Sequence, residues 1–99
     1  MTAGSSEDRK RCLNARVSGK VQGVGFRYWV VMEASGLHLT GWVRNDPDGS
    51  VVIEAEGREA DLRSMADALH RGPVMARVDS VEVRWPPYRG VYRRFIVEH

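Results

Sequence analysis

The chain has 99 residues, 42% of them hydrophobic, which suffices for one folded core but not for two domains of ordinary size. A net charge of +2 favours small anionic partners and lacks the dense positive field of a dedicated nucleic-acid binder. The single cysteine, Cys12, excludes an internal disulfide and a multi-cysteine metal site. No apolar run approaches the roughly 20 residues that span a bilayer, so we expect a soluble, monomeric protein of the cytoplasm.

The first residues are predicted to be a disordered tail. Residues 1–10 (MTAGSSEDRK) are small, polar and charged, with too little apolar surface to offset the entropy of ordering. We therefore place the folded domain at residues 11–99. Its first strand is indicated by the alternation of Leu13, Ala15 and Val17 with polar neighbours, and it ends at Gly19.

A helix is predicted from Phe26 onward. Its apolar residues recur at helical spacing and are Phe26, Trp29, Val30, Ala34 and Leu37. Gly25 is the expected N-cap, and the helix should end between Gly36 and His38.

A β-hairpin and a second helix follow. Strands are predicted over residues 40–45 and 50–56, separated by the turn sequence DPDG at residues 46–49. The second helix is predicted to open at Gly57, with His70 and Arg71 in its last turn and a stop at Gly72. Its apolar face consists of Leu62, Met65, Ala66 and Leu69.

Two further strands are predicted over residues 78–85 and 92–98. The order is then β-α-β-β-α-β with an additional C-terminal strand. This α+β pattern is typical of a ferredoxin-like, split βαβ domain with a mainly antiparallel sheet. Right-handed crossovers would place both helices on one face of that sheet.

The segment with the clearest chemistry is the glycine-rich bend between the first strand and the first helix. Glycines at such a junction let backbone N–H groups converge on an anion, and the helix N-terminus adds partial positive charge. Arg27 could complete a phosphate site with its planar set of donors. The spacing matches neither a Walker A loop nor a dinucleotide-binding fingerprint. From these residues alone, a purely structural turn is an equally good interpretation.

Two longer motifs resemble the signatures of the acylphosphatase family. Residues 17–27 (VSGKVQGVGFR) are similar to the first signature, and residues 41–51 (GWVRNDPDGSV), continuing to Gly57, are similar to the second. The resemblance covers approximately residues 12–98. It implies a ferredoxin-like hydrolase that cleaves acyl phosphates to carboxylate and inorganic phosphate, with no cofactor and no metal.

The resemblance also implies which residues form the site. By position, the phosphate-binding arginine of the family is Arg27 and the water-orienting asparagine is Asn45. Considered alone, Asn45 would simply open the turn that follows it. The implied phosphate-binding residues are Gly19, Lys20, Val21, Gln22, Gly23, Val24, Gly25, Phe26 and Arg27.

One position departs from the family pattern. Acylphosphatases commonly have a glycine where this chain has His38, and histidine is less comfortable than glycine at a helix end that requires positive φ. The helix end could therefore shift to Gly36. The active site should not be affected.

A competing hypothesis is a single-stranded RNA-binding module of the same topology, and a third is a catalytically silent anion-binding domain. The RNA hypothesis rests on a basic, aromatic C-terminal cluster that comprises Tyr88, Arg89, Tyr92, Arg93 and Arg94. Its aromatic pattern is faint, and a solvated strand face is the default interpretation. The three histidines show no metal-ligand spacing.

Overall fold

The computed structural model describes residues 9–99, and residues 1–8 of the predicted tail lie outside the described residues. The helices are α1 (Phe26–Gly36) and α2 (Glu59–Leu69). The strands are β1 (Lys10–Lys20), β2 (Thr40–Asn45), β3 (Val51–Arg58), β4 (Arg77–Arg84) and β5 (Phe95–Val97).

The strands form one sheet in the order β4-β1-β3-β2-β5. The β1–β3, β1–β4 and β2–β3 pairs are antiparallel, whereas β2 and β5 are parallel. The predicted ferredoxin-like fold is confirmed, with the detail that the C-terminal strand makes the sheet mixed.

Both helices pack on the same face of the sheet. In β1, Leu13, Ala15 and Val17 are fully buried and pair with the buried β3 residues Ala55, Ile53 and Val51. These residues share one core cluster with the apolar helix residues, which are Phe26, Val30, Ala34, Leu62, Met65 and Leu69. Because side chains alternate across a strand, the residues between them lie on the opposite, open face.

The chain adopts a positive φ after α1 at His38, a residue with a Cβ, rather than at a glycine. Gly36 is the last helical residue, but His38 has a φ of 56° and is the non-glycine residue with positive φ among residues 9–99. Its N–H donates to the Ser35 oxygen (3.2 Å), and the Leu39 N–H donates to the Ala34 oxygen (2.9 Å). This pair of bonds is the Schellman motif, with His38 in the place that glycine usually fills.

The boundaries predicted for α2 were wrong at both ends. Gly57 does not open the helix; it lies in β3, where it pairs with Arg11. A Cβ at Gly57 would lie 2.5 Å from Leu39 Cδ2, so the glycine permits a close approach. At the other end the helix stops at Leu69, which leaves His70 at the C-cap and Arg71 beyond it.

The segment that leads into β5 is held by side chains rather than by strand pairing. The Arg89 and Gly90 N–H groups donate to the Glu56 carboxylate at 2.8 and 3.0 Å, and the Tyr92 hydroxyl donates to Glu54. These contacts hold residues 89–92 away from the hydrogen-bonded pairing of β5 with β2. The last strand is therefore shorter than the predicted 92–98.

Candidate active site

Of the predicted phosphate-binding residues 19–27, residues 21–25 form a bend of five residues between β1 and α1. Gly23 and Gly25 have φ values of 74° and 79°, and a Cβ at either position would meet no atom within 4 Å. Backbone conformation, and not crowding, therefore accounts for these glycines. Left-handed residues in such bends aim neighbouring N–H groups into a concavity suited to an anion.

Gly19, at the approach to this bend, is required for a different reason. A Cβ on Gly19 would lie 2.2 Å from the backbone oxygen of Arg77, and its φ is 132°. Gly19 and Lys20 pair with Val78 and Arg77 at the start of β4. Gly19 and Lys20, the last residues of β1, are thus paired with β4 immediately before the bend that leads into α1.

Arg27 is the second residue of α1 and is half-buried. Within the described part of the chain, no carboxylate forms an ion pair with its guanidinium. No carboxylate of this part of the chain thus competes with a ligand for its N–H donors. A guanidinium offers two parallel N–H donors to phosphate oxygens in that position.

Asn45 is the last residue of β2, opposite Val51 of β3. Its side-chain oxygen Oδ1 is buried and accepts no hydrogen bond from the residues that the structure describes. A buried acceptor without a partner costs about 1–3 kcal/mol, and native proteins tolerate such groups mainly where they have a role. The Asn45 amide oxygen thus has unused capacity to accept a hydrogen bond.

Gln22 joins the loop to the hairpin that carries Asn45. Its Nε2 donates to the backbone oxygen of Asp46 at 2.8 Å and to that of Ser50 at 2.9 Å. Asp46 directly follows Asn45, so the structure brings the two signature segments together at this point. The sequence prediction counted Gln22 only as a backbone donor and missed the role of its side chain.

The turn between β2 and β3 has its own polar network, which the sequence analysis also missed. The Arg16 guanidinium donates to the Asp48 carboxylate at 2.8 Å and to Ser50 Oγ at 2.7 Å. Hydrogen bonds from the Ser50 hydroxyl and N–H, with a smaller contribution from Arg16, hold the pKa of Asp48 below its usual range. These hydrogen bonds therefore favour the ionised form of the Asp48 carboxyl.

Residues 9–99 show neither a cluster of metal-ligating side chains nor a membrane-spanning helix. Across residues 9–99, no group of three or more histidine, cysteine, aspartate and glutamate side chains is arranged to hold a metal ion. In the same part of the chain, neither helix has the length and apolar character needed to cross a membrane.

Comparison with known proteins decides the family. The acylphosphatase family model matches residues 13–97. The chain belongs to the acylphosphatase family. The acylphosphatase of Salinibacter ruber is 47% identical over 85 residues, which cover 86% of this chain and 90% of the relative. The acylphosphatase of Mesorhizobium japonicum is 53% identical over 76 residues, covering 77% and 81%.

A solved acylphosphatase has the same fold. The crystal structure of acylphosphatase from Bacillus subtilis matches with a TM-score of 0.87 and 38% identity, and the match covers 92% of this chain and all of that one. Family, fold and membership of a hydrolase class, all predicted from the sequence, are thereby confirmed.

The RNA-binding alternative is not favoured, and the contacts of its aromatic cluster explain why. Tyr92 accepts a hydrogen bond from Trp42 Nε1 at 3.1 Å and donates its own proton to Glu54. Arg89 donates to the same Glu54 carboxylate at 2.8 Å. Both side chains are occupied within the acylphosphatase domain, next to a carboxylate that would repel a phosphodiester backbone.

Proposed function

We propose that this chain hydrolyses acyl phosphates to a carboxylate and inorganic phosphate, with Arg27 and the loop N–H groups binding the phosphoryl group and Asn45 positioning water. The phosphate-binding set is the one named from the sequence, residues 19–27. The observation that supports this most is the buried Asn45 oxygen without a partner, at the end of a strand that Gln22 ties to the loop.

The proposed chemistry relies on positioning rather than on a strong nucleophile. An acyl phosphate is an activated anhydride, so the site must hold a dianion and place water in line with the leaving carboxylate. Water oxygen forms the new bond to phosphorus while the bridging P–O bond breaks, and the electron pair leaves with the carboxylate. The proton of the attacking water passes to a phosphoryl oxygen of the substrate.

Each element of the site has one task in this reaction. The loop N–H groups and the Arg27 guanidinium bind the phosphoryl oxygens. As preorganised donors they stabilise the charge that develops on these oxygens in the transition state. The Asn45 oxygen accepts a hydrogen bond from water and so directs its lone pair toward phosphorus. These steps require no cofactor or metal. Since all the groups belong to one chain, we propose that the monomer is active, and we also propose that it acts in the cytoplasm.

The test is the release of phosphate from a simple aryl acyl phosphate such as benzoyl phosphate, measured with a chelator present. Asn45→Ala should lower kcat by about 10²-fold, the scale expected for the loss of one preorganised polar contact. Arg27→Lys should weaken competitive inhibition by inorganic phosphate, because an ammonium group lacks the bidentate geometry.

Matched controls separate these effects from general damage. Asn14→Ala removes the other asparagine, which lies on β1 and bonds to Glu54 at 3.3 Å. Arg71→Lys changes an exposed arginine beyond α2. Both controls should retain wild-type turnover. Wild-type turnover in Asn45→Ala, or unchanged phosphate inhibition in Arg27→Lys, would remove that residue from the proposed site.

A further inference from the structure

We infer that Gln22 is a positioning residue that acts through Asn45 and sets the distance between the water-binding and phosphoryl-binding halves of the site. This inference rests on the proposed function, because it takes Asn45 to be the residue that directs water. Its basis is the pair of hydrogen bonds from one Gln22 amide to Asp46 and Ser50.

Gln22 bonds to the β2–β3 hairpin at the residues that close its turn. The Asp46 N–H donates to the Ser50 oxygen at 2.9 Å, and the Gly49 N–H donates to the Asp46 oxygen at 3.0 Å. Gln22 supplies the second hydrogen bond to each of these two oxygens, using both hydrogens of its amide. Asn45 precedes Asp46 and Val51 follows Ser50, so both strands are held at the level of Asn45.

No other hydrogen bond performs this task in the part of the chain that the structure describes. Between loop residues 21–25 and turn residues 46–50, the hydrogen bonds come from Gln22 alone. Arg16 also contacts the turn, but it extends from β1 and holds Asp48 and Ser50 without touching the loop. Arg16 therefore stabilises the turn, whereas Gln22 sets where the turn lies relative to the phosphate loop.

This division predicts which kinetic constant should change. The Gln22 backbone N–H and Arg27 remain in place when the Gln22 side chain is altered, so phosphate should bind as before. Asn45 would lose its fixed distance from the phosphoryl group, and a displacement of about 1 Å can cost up to about 10²-fold in rate. The loss should thus fall on kcat and leave phosphate binding unchanged.

The experiment is a double-mutant cycle between Gln22 and Asn45. Gln22→Met keeps the length of the side chain and removes both donors. We expect it to lower kcat for benzoyl phosphate by about 10-fold or more, with the inhibition constant of inorganic phosphate within about twofold of wild type. In the Asn45→Ala background, Gln22→Met should cause no further loss, because two residues that act as one unit are not additive.

The outcomes separate this inference from the proposed function. Wild-type kcat in Gln22→Met together with a defective Asn45→Ala overturns the role of Gln22 and leaves the site intact. An additive loss in the double variant also overturns it. Wild-type kcat in Asn45→Ala refutes the role of Asn45 itself.

A second variant covers the case in which Gln22→Met does not fold. Gln22→Asn retains the amide but is one methylene shorter, so it cannot reach both carbonyl oxygens. It should show the same loss of kcat and the same unchanged phosphate inhibition. Wild-type kcat in Gln22→Asn would also contradict the inference.

Discussion

Replacing His38 by glycine should make the protein more stable. His38 has a φ of 56° in the Schellman motif that ends α1. This left-handed conformation costs an L-residue about 1–2 kcal/mol, whereas glycine adopts it freely. Glycine loses about 0.4–1 kcal/mol more backbone entropy on folding. Taking the middle of each range, the net gain in the free energy of unfolding is about 0.8 kcal/mol, and at 4–8 °C per kcal/mol Tm should rise by about 3–6 °C.

Thermal and urea unfolding of wild type, His38→Gly and His38→Ala would test this reasoning. Alanine retains the Cβ that causes the strain, so His38→Ala should show no comparable gain. Turnover should stay at the wild-type value in both variants, since α1 places His38 about 16 Å from the helix start that carries Arg27. An unchanged or lower Tm in His38→Gly, or an equal gain in His38→Ala, would refute the assignment of strain to this position.

Two predictions concern buried ionisable groups. Hydrogen bonds from Arg63 and Arg11 keep the pKa of the Glu59 carboxyl below its usual range. The ionised Glu59 therefore contributes its full stabilisation when the pH is above the pKa of the unfolded state, about 4.3, and this stabilisation is lost as the pH falls through the lower pKa of the folded state. Glu59→Gln should therefore lower the urea midpoint at pH 7, with the gap to wild type closing in acid; a gap independent of pH would contradict this. Burial, reinforced by Glu54 and Glu56, raises the pKa of the Cys12 thiol to about 12. A thiol reagent at pH 8 should accordingly modify Cys12 only in unfolded protein, as measured by mass spectrometry. Rapid labelling of Cys12 in the native protein would contradict this prediction.

The sequence predicted secondary structure best where local turn chemistry marks a boundary. The predicted range of β2, residues 40–45, is the observed one, because the DPDG turn that follows marks the end of the strand. Gly57 was misassigned as a helix start because its requirement is a contact with Leu39, which lies 18 residues earlier in the chain. A glycine that serves a helix end and one that admits a distant side chain are identical in the sequence.

The site was predictable in its parts but not in its assembly. The glycine bend and Arg27 indicated an anion site from the residues alone, while the resemblance to acylphosphatases was needed to single out Asn45. No local pattern could show that Gln22 bonds to residues 24 and 28 positions away. Nor could the sequence show that the Asn45 oxygen is buried without a partner, because that depends on the packing around the hairpin.

The sheet topology explains why the two signatures meet and why a side chain is needed between them. β1 and β2 are each antiparallel to β3, so they run parallel to each other and end at the same edge of the sheet. α1 starts at that edge, after the loop that follows β1. β3 begins there too, and it lies between β1 and β2. The start of β3 therefore lies between the end of β1 and Asn45, and the Gln22 amide links the loop to this region by bonding both to the Ser50 oxygen, next to β3, and to the Asp46 oxygen, next to β2.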